Sequence, residues 1–449
     1  METIEDYRMT LRRIADFAFS FGIDSIPEDK KTDPLSWTEQ DYSIFRQKCH
    51  EGFKEAQNLI VKNLMLYQKE YQELKDQLKN FRRCRDKDSE QETQLNINIV
   101  EQRMKTFSHI ADGIAWQLIG NQIHVARRLH IGESETKFLE NANFQHTKKV
   151  VDKLNENPDD FALISDLTSF VQIGDVLHLS KQGIKIIELK EGAVNDKISE
   201  FLEEVKKKGQ KIEEVDLSTK FDKTTAKQVK RVVRQRTRGE RATHILNTDK
   251  GIDPVSEKPM SVSTPTIETE YYHPILAKLY EQLESRIWSY DVVEDCVHIG
   301  MYKGKGLQMA PFIIPELLNK ETENNIYIDW MTITHNVSEP IFSKPFPPDF
   351  IIDILTGYVK VIIGVNFDKL VDLFNQQDLK TRWISEKETM RMKQKEIRKN
   401  SIAIINKKAI EMSASETKKI ILGGGLVSKI IYDSIYPSNI AQTLLNLEE

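Results

Sequence analysis

"IGDVLHLSKQGIKIIELKEG", residues 173–192, decides how this chain is read. Two apolar runs flank the short polar turn "SKQG", the pattern of an antiparallel β-hairpin. Side chains alternate faces along a strand, so Glu188 and Lys190 share a face, as do Asp175, Leu177 and Leu179 on the partner strand. Antiparallel pairing across the turn brings Asp175 to the end that carries Glu188 and Lys190. Three ionisable groups then meet at one rim of a sheet. Two neighbouring carboxylates repel unless a cation lies between them. An all-oxygen pair suits Mg²⁺, which keeps several waters and uses few protein ligands. A lysine beside them can orient or deprotonate a water, or stabilise charge growing on a phosphate. Together these groups are the equipment of metal-assisted phosphodiester hydrolysis.

An acid at the start of one strand, followed on the next by acid-x-lysine, resembles the signature of the PD-(D/E)xK nuclease superfamily. Asp175 matches the first acid, Glu188 the second and Lys190 the lysine; Gly174 stands where the family often has proline. The resemblance spans about residues 105–245. It implies a restriction-endonuclease-like αβββαβ core with a mixed sheet, and Mg²⁺-dependent cleavage of nucleic acid, with Mn²⁺ as a substitute metal. Many members carry an acid on the helix before the sheet, which makes Asp112 in "FSHIADGIAWQLIGNQ" a candidate third metal ligand and Asp166 a weaker rival. His178 lies on the face opposite Asp175 and is assigned to packing or to the surface. Some members carry a glutamine on the following helix, a place that Gln228 or Gln235 could fill. The tyrosine that follows it in one subgroup is absent.

"KTTAKQVKRVVRQRTRGER", residues 223–241, is the second signal. Lys227, Lys230, Arg231, Arg234 and Arg238 belong to a one-signed run whose only acid is Glu240. Val229, Val232 and Val233 give it an apolar edge, so it reads as a basic helix. Such a helix neutralises phosphates and makes binding salt-sensitive. The expected nucleic-acid contacts are these five cations with Gln228 and Gln235.

Upstream, an apolar residue recurs every three or four positions from Tyr42 to Phe81, the mark of one helix face. After the polar break "RDKDSEQE" (residues 85–92), a second stripe runs from Leu95 to Leu118. A long antiparallel helical hairpin is expected, coiled-coil-like and serving to pack or dimerise. In "NDKISEFLEEVKKKG" (195–209), Asn195 is expected to cap a helix, and "KIEEVDL" (211–217) reads as a strand. Residues 247–266, rich in Pro, Ser and Thr, read as a linker. Beyond it, "CVHIGMY", "NIYIDWMTITHNV", "YVKVIIGVNF" and "SIAIINKKAIEM" read as strands, "HPILAKLYEQLESRIW" and "FDKLVDLFNQQ" as helices, and "TRWISEKETMRMKQKEIRKN" as a charged helix. The expected organisation is a helical region over 1–120, a nuclease core over 105–246 and an α/β regulatory or target-recognition domain over 267–449.

Composition sets the outer bounds. The chain has 449 residues and a formal net charge of −5, so any affinity for nucleic acid must be local. No apolar run approaches the ~20 residues of a membrane-spanning helix, and the charged N-terminus lacks a secretory core. Cys49, Cys84 and Cys296 are scattered without a CxxC, which fits a reduced cytoplasmic protein better than a disulfide or zinc framework. The expected function is a metal-dependent nuclease, DNA ahead of RNA, working as a homodimer or larger oligomer without a membrane. A ligand or protein acting on the C-terminal domain and a role against phage or foreign DNA belong to the same expectation. The alternative is a nucleic-acid-binding or ligand-sensing protein that keeps the fold without catalysis.

Overall fold

The computed structural model describes residues 2–31, 33–130, 142–189, 193–208, 215, 217, 220–254, 256–261, 267–333, 339–394, 402–413 and 419–446. The chain divides into two compact units, Met1–Val262 and Ser263–Glu449.

The first unit is built around two long helices. Helix α1 (Ile4–Ala15) continues through a π-helical turn (Asp16–Ser20) into short α2 (Phe21–Asp24) and α3 (Glu28–Lys31). Helix α4 (Glu39–Cys84) starts at a capping box in which Thr38 and Asp41 satisfy each other's backbone N–H groups. It ends at Arg85, whose φ of 57° turns the chain back. Asp86 caps α5 (Lys87–Leu118) at once, so only two residues separate the helices. The expected hairpin forms. At 46 residues, α4 is about 69 Å long.

Burial is uneven along the hairpin. Phe53, Ala56, Ile60, Leu64 and Tyr67 are buried, whereas Tyr42 and Leu95, both on the apolar stripes, are 48% and 59% exposed. From Arg103 to Leu118 most residues of α5 are buried, Arg103, Thr106 and Asp112 included. Glycine allows the closest approach: a Cβ on Gly52 of α4 would lie 2.2 Å from the Phe17 carbonyl oxygen in the π turn.

Short α6 (Ile123–Leu129) and α7 (Ala142–Leu154) lead to a three-stranded sheet, order β1-β2-β3, of β1 (Phe161–Ile164), β2 (Val176–Ser180) and β3 (Gly183–Ile187). All of its pairings are antiparallel. The hairpin expected at 173–192 is therefore present, tightened to a two-residue turn at Lys181 and Gln182. Both outer edges of the sheet are closed by side chains from helical segments. On β1, the Gln57 amide oxygen accepts from Ile164 N–H at 2.8 Å, and Asn155 pairs with both backbone groups of Ala162.

Helix α8 (Ala193–Lys207) begins two residues before Asn195, which is thus inside the helix and not its cap. Its Ile198, Phe201 and Val205 pack against Val229 and Val232 of α9 (Lys223–Thr248), a 26-residue helix capped by Asp222. The strand expected at 211–217 lies largely outside the described residues. The expected linker is partly folded: it contains the end of α9 and a hairpin of β4 (Lys250–Ile252) and β5 (Pro259–Ser261). Among the described residues no further strand joins the three-stranded sheet, which is antiparallel rather than mixed.

The second unit holds a four-stranded antiparallel sheet, order β6-β7-β9-β8, and a three-stranded one, order β10-β11-β12. In chain order its elements are α10 (His273–Gln282), β6 (Trp288–Val293), β7 (Val297–Lys303), α11 (Ile313–Glu321), β8 (Asn325–Asp329), α12 (Pro348–Leu355), β9 (Val359–Asn366), α13 (Phe367–Gln376), β10 (Lys380–Trp383), α14 (Glu386–Gln394), β11 (Ile410–Ser413), β12 (Lys419–Ile421), α15 (Gly424–Ile431) and α16 (Pro437–Asn446). Four readings are corrected. The helix read over "HPILAKLYEQLESRIW" ends at Gln282, and its Trp288 opens β6; of "SIAIINKKAIEM", only Ile410–Met412 is strand. "TRW" belongs to a strand, and the charged helix starts only at Glu386. The strand read over 325–337 stops at Asp329, where a 3₁₀ turn takes over. No described helix is long and apolar enough to cross a membrane.

Candidate active site and nucleic-acid interface

Asp175 owes its position to the residue before it. Gly174 has φ of 76°, and a Cβ there would lie 2.4 Å from Ile186 Cγ2. Proline, fixed near φ −65°, cannot take this conformation, and a side chain would clash with Ile186. Asp175 is then pinned from both sides. Its N–H donates to the Ile187 carbonyl at 2.8 Å, and its carbonyl accepts from Ser165 N–H at 2.9 Å. Asp175 and Glu188 lie just outside the last β2–β3 pair, Val176–Ile187, at the same end of the hairpin. Asp175 Oδ2 also accepts from Leu189 N–H at 2.6 Å, tying it to the residue that follows Glu188. Both carboxylates are half-buried. Lys190 lies outside the described residues.

Asp112 has a different set of contacts. Its Oδ1 accepts from Ser169 N–H and its Oδ2 from Ser169 Oγ, both at 2.7 Å. It is 4% exposed. Burial pushes its carboxyl up to about 7, against the pull of its hydrogen bonds from Ser169 and Phe170. The expected third metal ligand is thus engaged in holding the 168–171 segment. Among the described residues, no group of three or more His, Cys, Asp or Glu side chains is arranged around a metal site. The fit to Mg²⁺ rests on the two carboxylates of Asp175 and Glu188, hard oxygen donors of the kind that ion takes. His178 sits on the other face, with Nε2 3.3 Å from Asp160 Oδ2, and Asp166 lies in a 3₁₀ turn after β1.

Helix α9 covers the outer edge of β3. Thr243 Oγ1 accepts from Ile186 N–H at 3.2 Å. The Asn247 amide accepts from Ile184 N–H at 3.2 Å and donates to the Ile184 carbonyl at 2.9 Å. Between strand and helix runs a groove of about 740 Å³, lined by Gly174, Ile186 and Glu188 on one side and by Gln235, Arg236, Gly239, Glu240 and Thr243 on the other. Arg236, Glu240, Thr243 and Asn247 recur at helical spacing, a signal present in the sequence but outweighed there by the density of cations. Gln235 lines this groove as well.

The five cations read as nucleic-acid contacts do not line it. Lys227, Lys230, Arg234 and Arg238 line a second groove of about 1070 Å³ together with Lys223 and Arg241. At 3.6 residues per turn these side chains fall within an arc of about 80°, roughly opposite the face turned to Glu188. Arg231 is exposed and lines neither groove, and Gln228 is half-buried. Arg241 pairs with Glu257 at 3.2 Å. Among the described residues, the other five cations of the stripe have no acidic partner within 4.0 Å.

No family model, curated protein or solved structure matches this chain.

Proposed function

We propose that the chain is a Mg²⁺-dependent nuclease of the restriction-endonuclease-like kind, acting on DNA ahead of RNA. The observation that carries this reading is that Asp175 and Glu188 lie together at one end of the β2–β3 hairpin, with Glu188 lining the groove beneath α9. Asp175 and Glu188 would hold Mg²⁺, which would supply Lewis-acid charge at a phosphoryl group. The protein's own part is positional. The Leu189 N–H keeps Asp175 in place, and α9 fixes the backbone of β3 ahead of Glu188. Lys190, two residues beyond Glu188 in sequence, is assigned to orient the attacking water and to balance charge on the pentavalent phosphorus. Dimerisation through the α4–α5 hairpin, control by the second unit and a role against foreign DNA complete the proposal.

A second reading, binding without cleavage, is favoured by one contact: both oxygens of Asp112 are engaged by Ser169, leaving two acids for the metal. Supercoiled plasmid, linear duplex, single-stranded DNA and RNA, each incubated in Mg²⁺, Mn²⁺ and EDTA, separate the two. Cleavage that needs metal and is lost in Lys190→Ala and Glu188→Gln supports the nuclease. Equal cleavage by wild type and both variants removes the assigned site. Salt-sensitive binding with no cleavage in any metal favours the second reading.

A further inference from the structure

The cationic groove of α9 is not a wall of the Glu188 groove. A helix with its side chains is about 10–12 Å across, so a phosphate held by Lys230 or Arg234 is not the one beside Glu188. The stripe must serve a different stretch of ligand. From Lys223 to Arg238 it extends about 22 Å, with a cation every three or four residues. Five of these charges have no acidic partner among the described residues, and the described acids that line the groove are otherwise engaged: Asp222 caps the helix and Glu257 meets Arg241. Such a row of cations fits a linear polyanion.

The surface between the cations is apolar. Val215, Leu217, Phe221, Ala226 and Val233 line the same groove, and Phe221 is braced edge-on by Phe201, ring centroids 5.1 Å apart. A duplex keeps its bases stacked inside and cannot use such a surface. A single strand offers phosphates to one row of contacts and base faces to the other. We infer that this groove binds single-stranded nucleic acid, phosphates along Lys223–Arg238 and a base on Phe221, as a holding site separate from the cutting rim. The inference builds on the nuclease reading, but its binding step does not depend on cleavage.

The test is fluorescence anisotropy in EDTA, so that nothing is cut, with the full chain and a labelled 12-nucleotide single strand or its blunt duplex. The DNA strand is expected to bind at least tenfold more tightly than the duplex. Five phosphate contacts predict a fall of about 100-fold between 50 and 200 mM salt. Lys230→Glu/Arg234→Glu should lower the log–log salt slope from about 3.5 to about 2. Phe221→Leu, which keeps apolar bulk but removes the ring, should weaken the single strand at least fivefold and leave the duplex unchanged. Glu188→Gln should bind like wild type. An RNA 12-mer shows which sugar the site accepts. Duplex binding equal to or tighter than single-strand binding overturns the inference. So does a wild-type response from the double charge-reversal variant, which alters exposed side chains and is expected to fold normally. Loss of cleavage in Glu188→Gln with binding intact would separate failure of this inference from failure of the nuclease reading.

Discussion

At the scale of single residues, Gly174 and Asp112 have measurable consequences. Gly174→Ala puts a Cβ at positive φ and into Ile186, so a loss of about 1–3 kcal/mol is expected in urea unfolding, with Asp175 displaced. Asp112 gives a pH signature whose sign follows from its environment. Its folded pKa of about 7 lies above the ordinary carboxylate value of 3.8. Between these values the folded protein retains a proton that the unfolded chain releases, so this group's stabilisation is complete below about 4 and is lost as pH rises towards 7. Asp112→Asn cannot ionise, yet keeps an oxygen for one Ser169 donor. Its stability relative to wild type should therefore improve between pH 5 and pH 7.5, read as urea midpoints. A constant difference across that range would refute the assignment. The sequence placed Asp175 and Glu188 at one end of the hairpin because the polar turn between two apolar runs fixes the direction of pairing. It could not reveal the partner of Asp112, because Ser169 is 57 positions away.

At the scale of elements, local pattern was the dependable guide. The α4–α5 hairpin, β2–β3, β7, β9 and α13 all carry a clear period, and they form where the period lies. The strand "TRW" was absorbed into a helix because a long charged segment follows it. The β4–β5 hairpin was hidden in residues whose composition resembles a linker. Long-range closure of sheet edges has no period at all. Gln57 meets Ile164 across 107 positions, and Asn247 meets Ile184 across 63. Gln57→Ala would leave the buried Ile164 N–H without its acceptor, and a loss of about 1–3 kcal/mol is expected. Asn247→Ala, on the exposed side of the same sheet, should cost about 1 kcal/mol but loosen α9 against β3. In an active enzyme it should therefore lower kcat more than stability. Stability falling with kcat unchanged would mean that α9 does not position Glu188.

At the scale of the whole molecule, the division at Val262 and Ser263 falls inside the stretch read as a linker. Both proposed nucleic-acid sites lie in the first unit. Residues 1–262 alone should fold and keep the single-strand affinity, measured by the same anisotropy assay, while any response to a regulator is lost with residues 263–449. Light scattering of the full chain and of a version lacking residues 42–118 tests the oligomer, and an intact monomer would refute dimerisation through the hairpin.

The closure of β3 by helix side chains also creates an internal reporter. Ile184 and Ile186 point their amides away from β2, the direction in which an edge strand normally meets water. Here those amides are held by Asn247 and Thr243. Their deuterium uptake therefore registers the seating of α9 and not the opening of the sheet. A strand drawn into the cationic groove that tightens the helix would slow uptake at these two positions and leave Leu177 and Leu179 unchanged. One that levers the helix away would expose them first.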